Sequence, residues 1–252
     1  MIEIFILSLV QGITEFLPIS SSSHLILISE FLDFKNQSLS IDVSLHIGSL
    51  FAVLVYFNKD ILNFFENKIL FFKIFISSIP VMVIGYFLVE SGMIEKVRNL
   101  KIISWMTLIF GILLYLSDKF KLENNLEKNF TFKSAIFIGI FQILSLIPGV
   151  SRSGIAITAA RLLNFKRIDA AKISFLISIP ILGAVSFFGL KNIILTENFY
   201  LTKINIISIF LSFLFSLITI KYFLKYIKTF NLNVFVFYRI MLGLALIIIT
   251  YL

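Results

Sequence analysis

The chain has 252 residues, of which 59% are hydrophobic and only 14% are charged. Soluble domains carry about 25% charged residues, so this composition predicts an integral membrane protein and excludes an ordinary soluble one. There is no cysteine, which excludes disulfides and thiolate metal sites. The formal net charge of +8 is interpreted as cationic loops on the cytoplasmic side of a membrane, not as a nucleic-acid surface.

The first polar stretch is QGITEFLPISSSSHL, at residues 11–25. A short apolar run at residues 2–17 contains Glu15, and another at residues 21–32 follows the serine cluster. Neither run reaches the roughly 20 residues that span a bilayer. Two short helices broken at Pro18 predict a re-entrant hairpin that enters the membrane and returns to the same side. Irregular backbone at that depth is tolerated where protein or a wet cavity covers it.

Six longer apolar segments are predicted to span the membrane. They cover residues 43–58, 69–89, 102–117, 173–190, 204–220 and 232–252. The segments between them, among them residues 59–68, 90–101 and 118–133, are charged or polar and are predicted as loops. Arg239, inside the last span, is expected to extend toward the nearer membrane surface.

A second broken pair lies at residues 134–147 and 151–163, with SLIPGVSRSG at the break. Aligning Pro148 with Pro18 places Ser151 over Ser21, and three spans follow each pair. An odd number of spans makes the two copies opposite in orientation, as in inverted-repeat transporters. The predicted fold is an all-α polytopic membrane protein with six transmembrane helices and two re-entrant helical hairpins in an inverted repeat. It is one domain, residues 1–252, with pseudo-repeats at about 1–117 and 118–252.

The cationic side chains divide unequally between the two sides of this topology. Arg152 lies inside the membrane, and 15 of the 22 cationic residues fall on one side. The other side receives Lys35, Lys96, Arg98, Lys101, Lys191 and Lys203. The positive-inside rule makes the richer side cytoplasmic. The first hairpin then enters from the outer face, the second enters from the cytoplasm, and both termini lie outside.

Each break leaves a helix N-terminus near mid-membrane. Its unpaired N–H groups and about half a positive charge make it a ready anion site. Arg152 adds a planar fork suited to phosphate, and an arginine at that depth is functional by default, since it costs at least about 2.5–3.5 kcal/mol unless paired. Ser20 to Ser23 are predicted to cap one helix start with their hydroxyls, and Ser151 to Ser153 the other. Further phosphate contacts are expected from Ser20, Ser22, Ser151, Ser153 and Gly154.

Three residues of the first stretch are candidates for chemistry. Glu15 is too deep to belong to a solvated face; it can neutralise Arg152 and can also act as a base or metal ligand. Ser21 and His24 are three residues apart on one helix face. Either of them, or activated water, can serve as the nucleophile, and His24 can also transfer protons.

Three further polar residues are predicted to support this site. Gln11 lies four residues before Glu15, so it faces the same side and can orient the carboxylate or share a metal. Asp42 and His46 are also four residues apart and are predicted to pair at the entrance of a span, where a structural role is favoured.

The two stretches resemble the signatures of the undecaprenyl-diphosphate phosphatase family, also called bacitracin-resistance proteins. QGITEFLPISSSSHL is similar to the first signature and SLIPGVSRSG to the second, PGxSRSG. DVSLHIGSLFAVLVYF, at residues 42–57, is similar to the span that follows the first signature. The resemblance implies a bacterial plasma-membrane enzyme that hydrolyses undecaprenyl diphosphate to the monophosphate and inorganic phosphate. This reaction recycles the lipid carrier for peptidoglycan synthesis, so activity implies bacitracin resistance.

Matched by position, the resemblance implies catalytic roles for Glu15, Ser21, His24 and Arg152. It also implies a polyprenyl diphosphate substrate held among membrane lipids, an active site that opens to the outer, periplasmic face, and a tendency to form homodimers. A divalent cation, Mg²⁺ or Ca²⁺, is expected at Glu15. Gln11 stands at a position where the family has Glu or Gln and supplies no negative charge, so a cation would depend more on Glu15 and the substrate's phosphates.

A transporter or flippase for polyprenyl phosphates is the alternative prediction. Inverted repeats whose broken helices meet at mid-membrane are also a transporter pattern. Chemistry is favoured because Glu15, Ser21 and His24 exceed what phosphate binding requires. The sequence has no Walker-type GxxxxGK[ST] motif, which argues against a nucleotide-driven pump.

Overall fold

The computed structural model describes residues 1–34, 38–66, 68–196 and 203–252, without the side chains of residues 64–66, 95, 192, 193, 195 and 196. Lys35, which the sequence places on the outer side, lies outside the described residues. The described chain is helical apart from its turns and one isolated bridge between Asn124 and Phe165. The prediction of an all-α fold is confirmed.

The described residues form thirteen α-helices. In chain order they are α1 (Ile2–Thr14), α2 (Ser21–Phe31), α3 (Leu39–Tyr56), α4 (Asn58–Glu66), α5 (Lys68–Glu90), α6 (Met93–Lys96), α7 (Leu100–Asp118), α8 (Leu126–Asn129), α9 (Phe132–Ile143), α10 (Arg152–Leu162), α11 (Arg167–Thr196), α12 (Lys203–Thr229) and α13 (Asn233–Tyr251). A 3₁₀ turn, Leu144–Leu146, extends α9.

Six of these helices are long and apolar enough to cross a membrane: α3, α5, α7, α11 (through Lys191), α12 and α13. They confirm the six predicted spans. The prediction of a loop at residues 59–68 is wrong for most of its length, because α4 begins directly after α3 and continues to Glu66. Short helices α6 and α8 also interrupt the predicted loops at residues 90–101 and 118–133.

Two pairs of short helices form the broken hairpins, α1 with α2 and α9 with α10. The 13 residues of α1 rise about 20 Å, less than the roughly 30 Å of a bilayer core. Each second helix has 11 residues and follows a serine with positive φ, Ser20 at 76° and Ser151 at 74°. By backbone conformation, Ser20 therefore corresponds to Ser151, and Ser21 to Arg152. The alignment of the two prolines, which placed Ser151 over Ser21, differs from this by one residue.

The two halves of the chain interlock through their helices. Helix α3 packs on α11 and α7 packs on α13, while α1 lies against α12 and α9 against α5. Glycines permit the close approaches: a Cβ on Gly139 of α9 would lie 2.6 Å from the Ser77 carbonyl oxygen of α5. The reciprocal pairing supports two pseudo-repeats, which stay a prediction.

Helix α10 lies at the centre of this arrangement, and every residue from Ser153 to Arg161 is buried. At its C-terminal end, the fully buried Arg161 donates from Nε to Asp118 Oδ1 at 3.3 Å. Asp118 also accepts from Arg167 Nε at 2.8 Å and from the Leu232 backbone N–H at 3.2 Å. One carboxylate thus ties the end of α7 to α10, α11 and the residue before α13.

Candidate active site

Glu15 is the centre of a hydrogen-bonded cluster that joins the two hairpins. It follows the last residue of α1 and is 5% exposed. Its Oε2 accepts from Ser21 Oγ at 2.5 Å and from Gln11 Nε2 at 3.1 Å, and its Oε1 accepts from Arg152 Nη2. The structure therefore brings Glu15, Ser21 and Arg152 together, and the predicted neutralisation of Arg152 by Glu15 is confirmed as an ion pair.

Gln11 extends the cluster to α3. Its Nε2 lies 3.1 Å from His46 Nδ1 and 3.5 Å from Ser49 Oγ. The Gln11 side chain is fully buried, and its Oε1 has no hydrogen-bond partner among the described residues. His46 therefore contacts the site through Gln11. Asp42 lies in the first turn of the same helix, and its predicted pairing with His46 stays a prediction.

The second break touches the first through a serine. Ser153 Oγ donates to the Leu17 carbonyl oxygen at 2.7 Å, and Ser151 Oγ accepts from the Gly154 N–H at 3.1 Å, which caps α10. Gly149 precedes them with φ of 99°, and a Cβ there would lie 2.7 Å from the Ile103 carbonyl oxygen. This position thus requires glycine for both its conformation and its space.

The serines of the first break are arranged differently from the prediction. Ser20 was expected to cap α2 with its hydroxyl, but its side chain makes no cap hydrogen bond. At a φ of 76°, its Oγ lies 3.0 Å from Ser23 Oγ and 3.4 Å from Ser22 Oγ. Ser22 is exposed, and Ser20 and Ser23 are buried.

His24 faces α13 and lies outside the hydrogen-bond set of Glu15. Its Nδ1 lies 2.6 Å from the Ser20 carbonyl oxygen, which can only accept, so Nδ1 carries the proton. Its Nε2 then accepts from the Tyr238 hydroxyl at 2.6 Å. Ser21 and His24 share a helix face, but Ser21 binds Glu15 and His24 binds Tyr238.

Arg239 is a site residue whose position was predicted wrongly. It is fully buried, where the sequence predicted a side chain extended to the membrane surface. Its guanidinium donates to the carbonyl oxygens of Pro18 in the first break and of Gly149 and Val150 in the second, at 3.1, 2.7 and 3.0 Å. The sequence did contain an indication that Arg239 belongs to the site, because an arginine inside a span is functional by default, as for Arg152.

The arrangement is suited to phosphoryl transfer. A serine hydroxyl that donates to a buried carboxylate is a candidate nucleophile with its base in place. A guanidinium and two helix N-termini beside it supply positive charge for a phosphate. Phosphoryl transfer needs little from a protein beyond such positioning and charge stabilisation.

Glu15 has few neighbours that could help it hold a cation. The described part of the chain contains no group of three or more His, Cys, Asp or Glu side chains placed to hold a metal. The oxygens available in the cluster are the Glu15 carboxylate and the unpartnered Oε1 of Gln11. Mg²⁺ is commonly bound by one or two carboxylates together with substrate phosphates, so this pair can form only part of a cation site.

Comparison with known proteins gives consistent matches over nearly the whole chain. Residues 4–245 match the family described as "Bacitracin resistance protein BacA". A protein of Pelagibacter ubique named undecaprenyl-diphosphatase is 53% identical, covering 99% of this chain and 98% of the relative. Proteins of the same name from Jannaschia sp. and Saccharophagus degradans are 38% and 40% identical, over 98% and 95% of this chain and 98% and 94% of the relatives.

Proposed function

The chain belongs to the family of the bacitracin resistance protein BacA, and on that premise we propose that its joined hairpins form the active site of an undecaprenyl-diphosphatase. The enzyme hydrolyses undecaprenyl diphosphate to undecaprenyl phosphate and inorganic phosphate. This recycles the lipid carrier for peptidoglycan synthesis and confers resistance to bacitracin. The observation that carries the site assignment is the contact of one carboxylate, Glu15, with both Ser21 and Arg152.

Ser21 is the proposed nucleophile. Its oxygen attacks the terminal phosphorus, its proton passes to Glu15, and the bond from that phosphorus to the bridging oxygen breaks. Undecaprenyl phosphate leaves and takes the proton from Glu15. Water then attacks the phosphoserine with Glu15 as base, which releases inorganic phosphate and restores the hydroxyl. The 2.5 Å separation of Ser21 Oγ and Glu15 Oε2 supports this choice over His24.

Arg152 is the proposed phosphate clamp. Its side chain is 16% exposed, so part of the fork lies open beside the α10 N-terminus. Ser22, which is exposed at the start of α2, is the proposed hydroxyl contact from the first hairpin. The hydroxyls of Ser151 and Ser153 are hydrogen-bonded to main-chain groups of the two breaks. We therefore propose that these serines hold Arg152 in position.

His24 is the proposed second proton-transfer group, and it acts through Tyr238. The Tyr238 hydroxyl donates to Nε2 of His24, and the tyrosine side chain is 40% exposed. A proton can pass between the imidazole and the bound substrate by way of this hydroxyl. Nδ1 of His24 stays bound to the Ser20 carbonyl oxygen, which keeps the ring oriented.

A divalent cation, Mg²⁺ or Ca²⁺, is proposed to bind together with the substrate. Glu15 and Oε1 of Gln11 would hold it, with the substrate's phosphates as the remaining ligands. When bound, the cation neutralises charge on the phosphates. The buried, unpartnered Oε1 of Gln11 supports this assignment.

The site is proposed to open to the outer face of the plasma membrane, with both termini outside. This orientation rests on the unequal distribution of cationic residues between the two sides. A homodimer is proposed from the family resemblance alone. Transport or flipping of polyprenyl phosphates is not favoured.

The decisive experiment is phosphate release from undecaprenyl diphosphate by the purified protein in detergent, with Mg²⁺ or Ca²⁺ present. There is no second compartment, so a transporter gives no signal. The parent protein is expected to release phosphate, and Arg152→Ala is expected to lower the rate at least about 100-fold. Lys121→Ala, which changes an exposed surface cation, serves as the matched control. A parent protein without release, or an Arg152→Ala variant with the parent rate, contradicts the proposal.

A further inference from the structure

Arg239 combines full burial with an unusual set of partners. All four of its hydrogen bonds go to main-chain carbonyl oxygens. Three of these belong to the two breaks, and the fourth, Thr107 at 3.3 Å, belongs to α7. A single guanidinium on α13 therefore holds the first break, the second break and a neighbouring span at once.

The positive charge of Arg239 has no carboxylate partner within ion-pair distance in the described part of the chain. Carbonyl dipoles satisfy four of its five N–H groups but leave the formal positive charge in place. A buried charge of this kind is expensive unless an opposite charge is close. A diphosphate bound at the two helix starts would supply the missing negative charge.

The position of the guanidinium fits this role. A Cβ on Gly154, in the first turn of α10, would lie 3.2 Å from Nη1 of Arg239. The charge thus lies directly behind the helix start that presents Arg152. It adds to the positive field at the N-terminus of α10.

Arg161 provides a comparison within the same chain. It is also fully buried and also donates to carbonyl oxygens, including Lys121 O at 3.0 Å. It differs in having a carboxylate partner, Asp118, which also pairs with Arg167. The buried arginine that stabilises the fold, Arg161, is thus paired with a carboxylate. Arg239 has no such partner among the described residues.

We propose that Arg239 is a positioning residue for the phosphatase reaction: it holds the Ser21 and Arg152 halves of the site in register and supplies uncompensated positive charge for the diphosphate. The inference rests on the proposed function of the two breaks. The geometric part acts through Ser21 and Arg152 and should appear in kcat. The charge part stabilises bound diphosphate and should appear in KM.

Two substitutions separate these parts. Arg239→Lys keeps the charge but cannot reach both breaks with a planar fork, so kcat should fall about 10- to 100-fold while KM stays within about 3-fold of the parent. Arg239→Gln also removes the charge, so KM should rise about 10-fold in addition. The matched control is Arg161→Lys, which should lower the thermal midpoint yet keep kcat per folded molecule.

The measurements are kcat and KM for undecaprenyl diphosphate, with the folded fraction of each variant fixed by thermal unfolding in detergent. Parent kcat in Arg239→Lys, or parent KM in Arg239→Gln, overturns the proposal. The proposal is also overturned if kcat falls no more in Arg239→Lys than in Arg161→Lys at equal folded fraction. Failure of the phosphatase assignment gives a different result, since the parent itself then releases no phosphate.

Discussion

The hydroxyl oxygen of Ser21 lies 2.5 Å from Oε2 of Glu15, across the turn that separates α1 from α2. The carboxylate is buried, and its other oxygen is held by Arg152 from the second hairpin. A carboxylate, a hydroxyl and a guanidinium are thereby linked through the three atoms of one carboxylate group.

Ser21→Ala is expected to lower phosphate release at least about 1,000-fold, because it removes the proposed nucleophile. The parent, quenched in acid during turnover, should carry an acid-stable phosphate on Ser21, identified by peptide mass spectrometry. Ser29→Ala, two turns along the same helix at a hydroxyl with no hydrogen-bond partner among the described residues, should keep the parent rate. An acid-labile phosphate on His24 would make His24 the nucleophile instead.

Arg152→Met is expected to destabilise the fold by about 3–5 kcal/mol, because it leaves the buried carboxylate of Glu15 without its cation. Adding Glu15→Gln to that variant should recover part of this loss, since no unpaired charge then remains. Thermal unfolding of the two single variants and the double variant in detergent measures the coupling. Additive losses would show that the ion pair contributes nothing, and all three variants should be inactive.

Asp118→Asn is expected to cost about 3–5 kcal/mol of stability, because Arg161 then loses the carboxylate that neutralises it. The folded remainder should keep its kcat, since this cluster lies at the C-terminal end of α10, away from Arg152. Glu123→Gln is the control, since its contact with Lys121 is exposed and contributes little. Equal thermal midpoints for the two variants would contradict the prediction.

Gly139→Ala is expected to destabilise the protein by about 1–3 kcal/mol, because the new methyl group meets the Ser77 carbonyl oxygen where α9 crosses α5. Gly183→Ala in α11 has nothing within 4 Å of its Cβ and should be neutral or stabilising. Thermal unfolding of both variants tests this difference. A Gly139→Ala variant as stable as the parent would mean that α9 and α5 separate without cost.

Tyr238→Phe is expected to lower phosphate release about 10- to 100-fold if His24 exchanges protons through the tyrosine hydroxyl. The rate is compared with that of Tyr222→Phe, an exposed tyrosine on α12. An unchanged rate in Tyr238→Phe would leave His24 with only an orienting role at the start of α2.

The sequence predicted most of the fold and the main contact of the site. The six spans are visible as long apolar runs, and each break is marked by a proline followed by serines. The pairing of Glu15 with Arg152 was predictable because each is costly alone inside a membrane. The helix α4 was missed because its charged residues are typical of a loop between two spans.

The partners of His24 and Arg239 were not predictable from local sequence. The hydroxyl that binds His24 is contributed by Tyr238, 214 residues away, so helix periodicity cannot indicate it. Arg239 near the middle of an apolar run has two physically reasonable outcomes, extension to the surface or burial against carbonyl oxygens. The choice depends on where the two breaks lie in space, and only the packed structure shows this.

The place of Arg239 on α13 has a consequence for how the protein is made. Helix α13 leaves the ribosome after Glu15, Ser21, His24 and Arg152 have all been synthesised. Until it inserts, the carbonyl groups of Pro18, Gly149 and Val150 have no guanidinium to hold them together. A nascent chain stalled before α13 therefore contains Glu15, Ser21, His24 and Arg152 without a joined site, so activity should arise only after α13 has inserted.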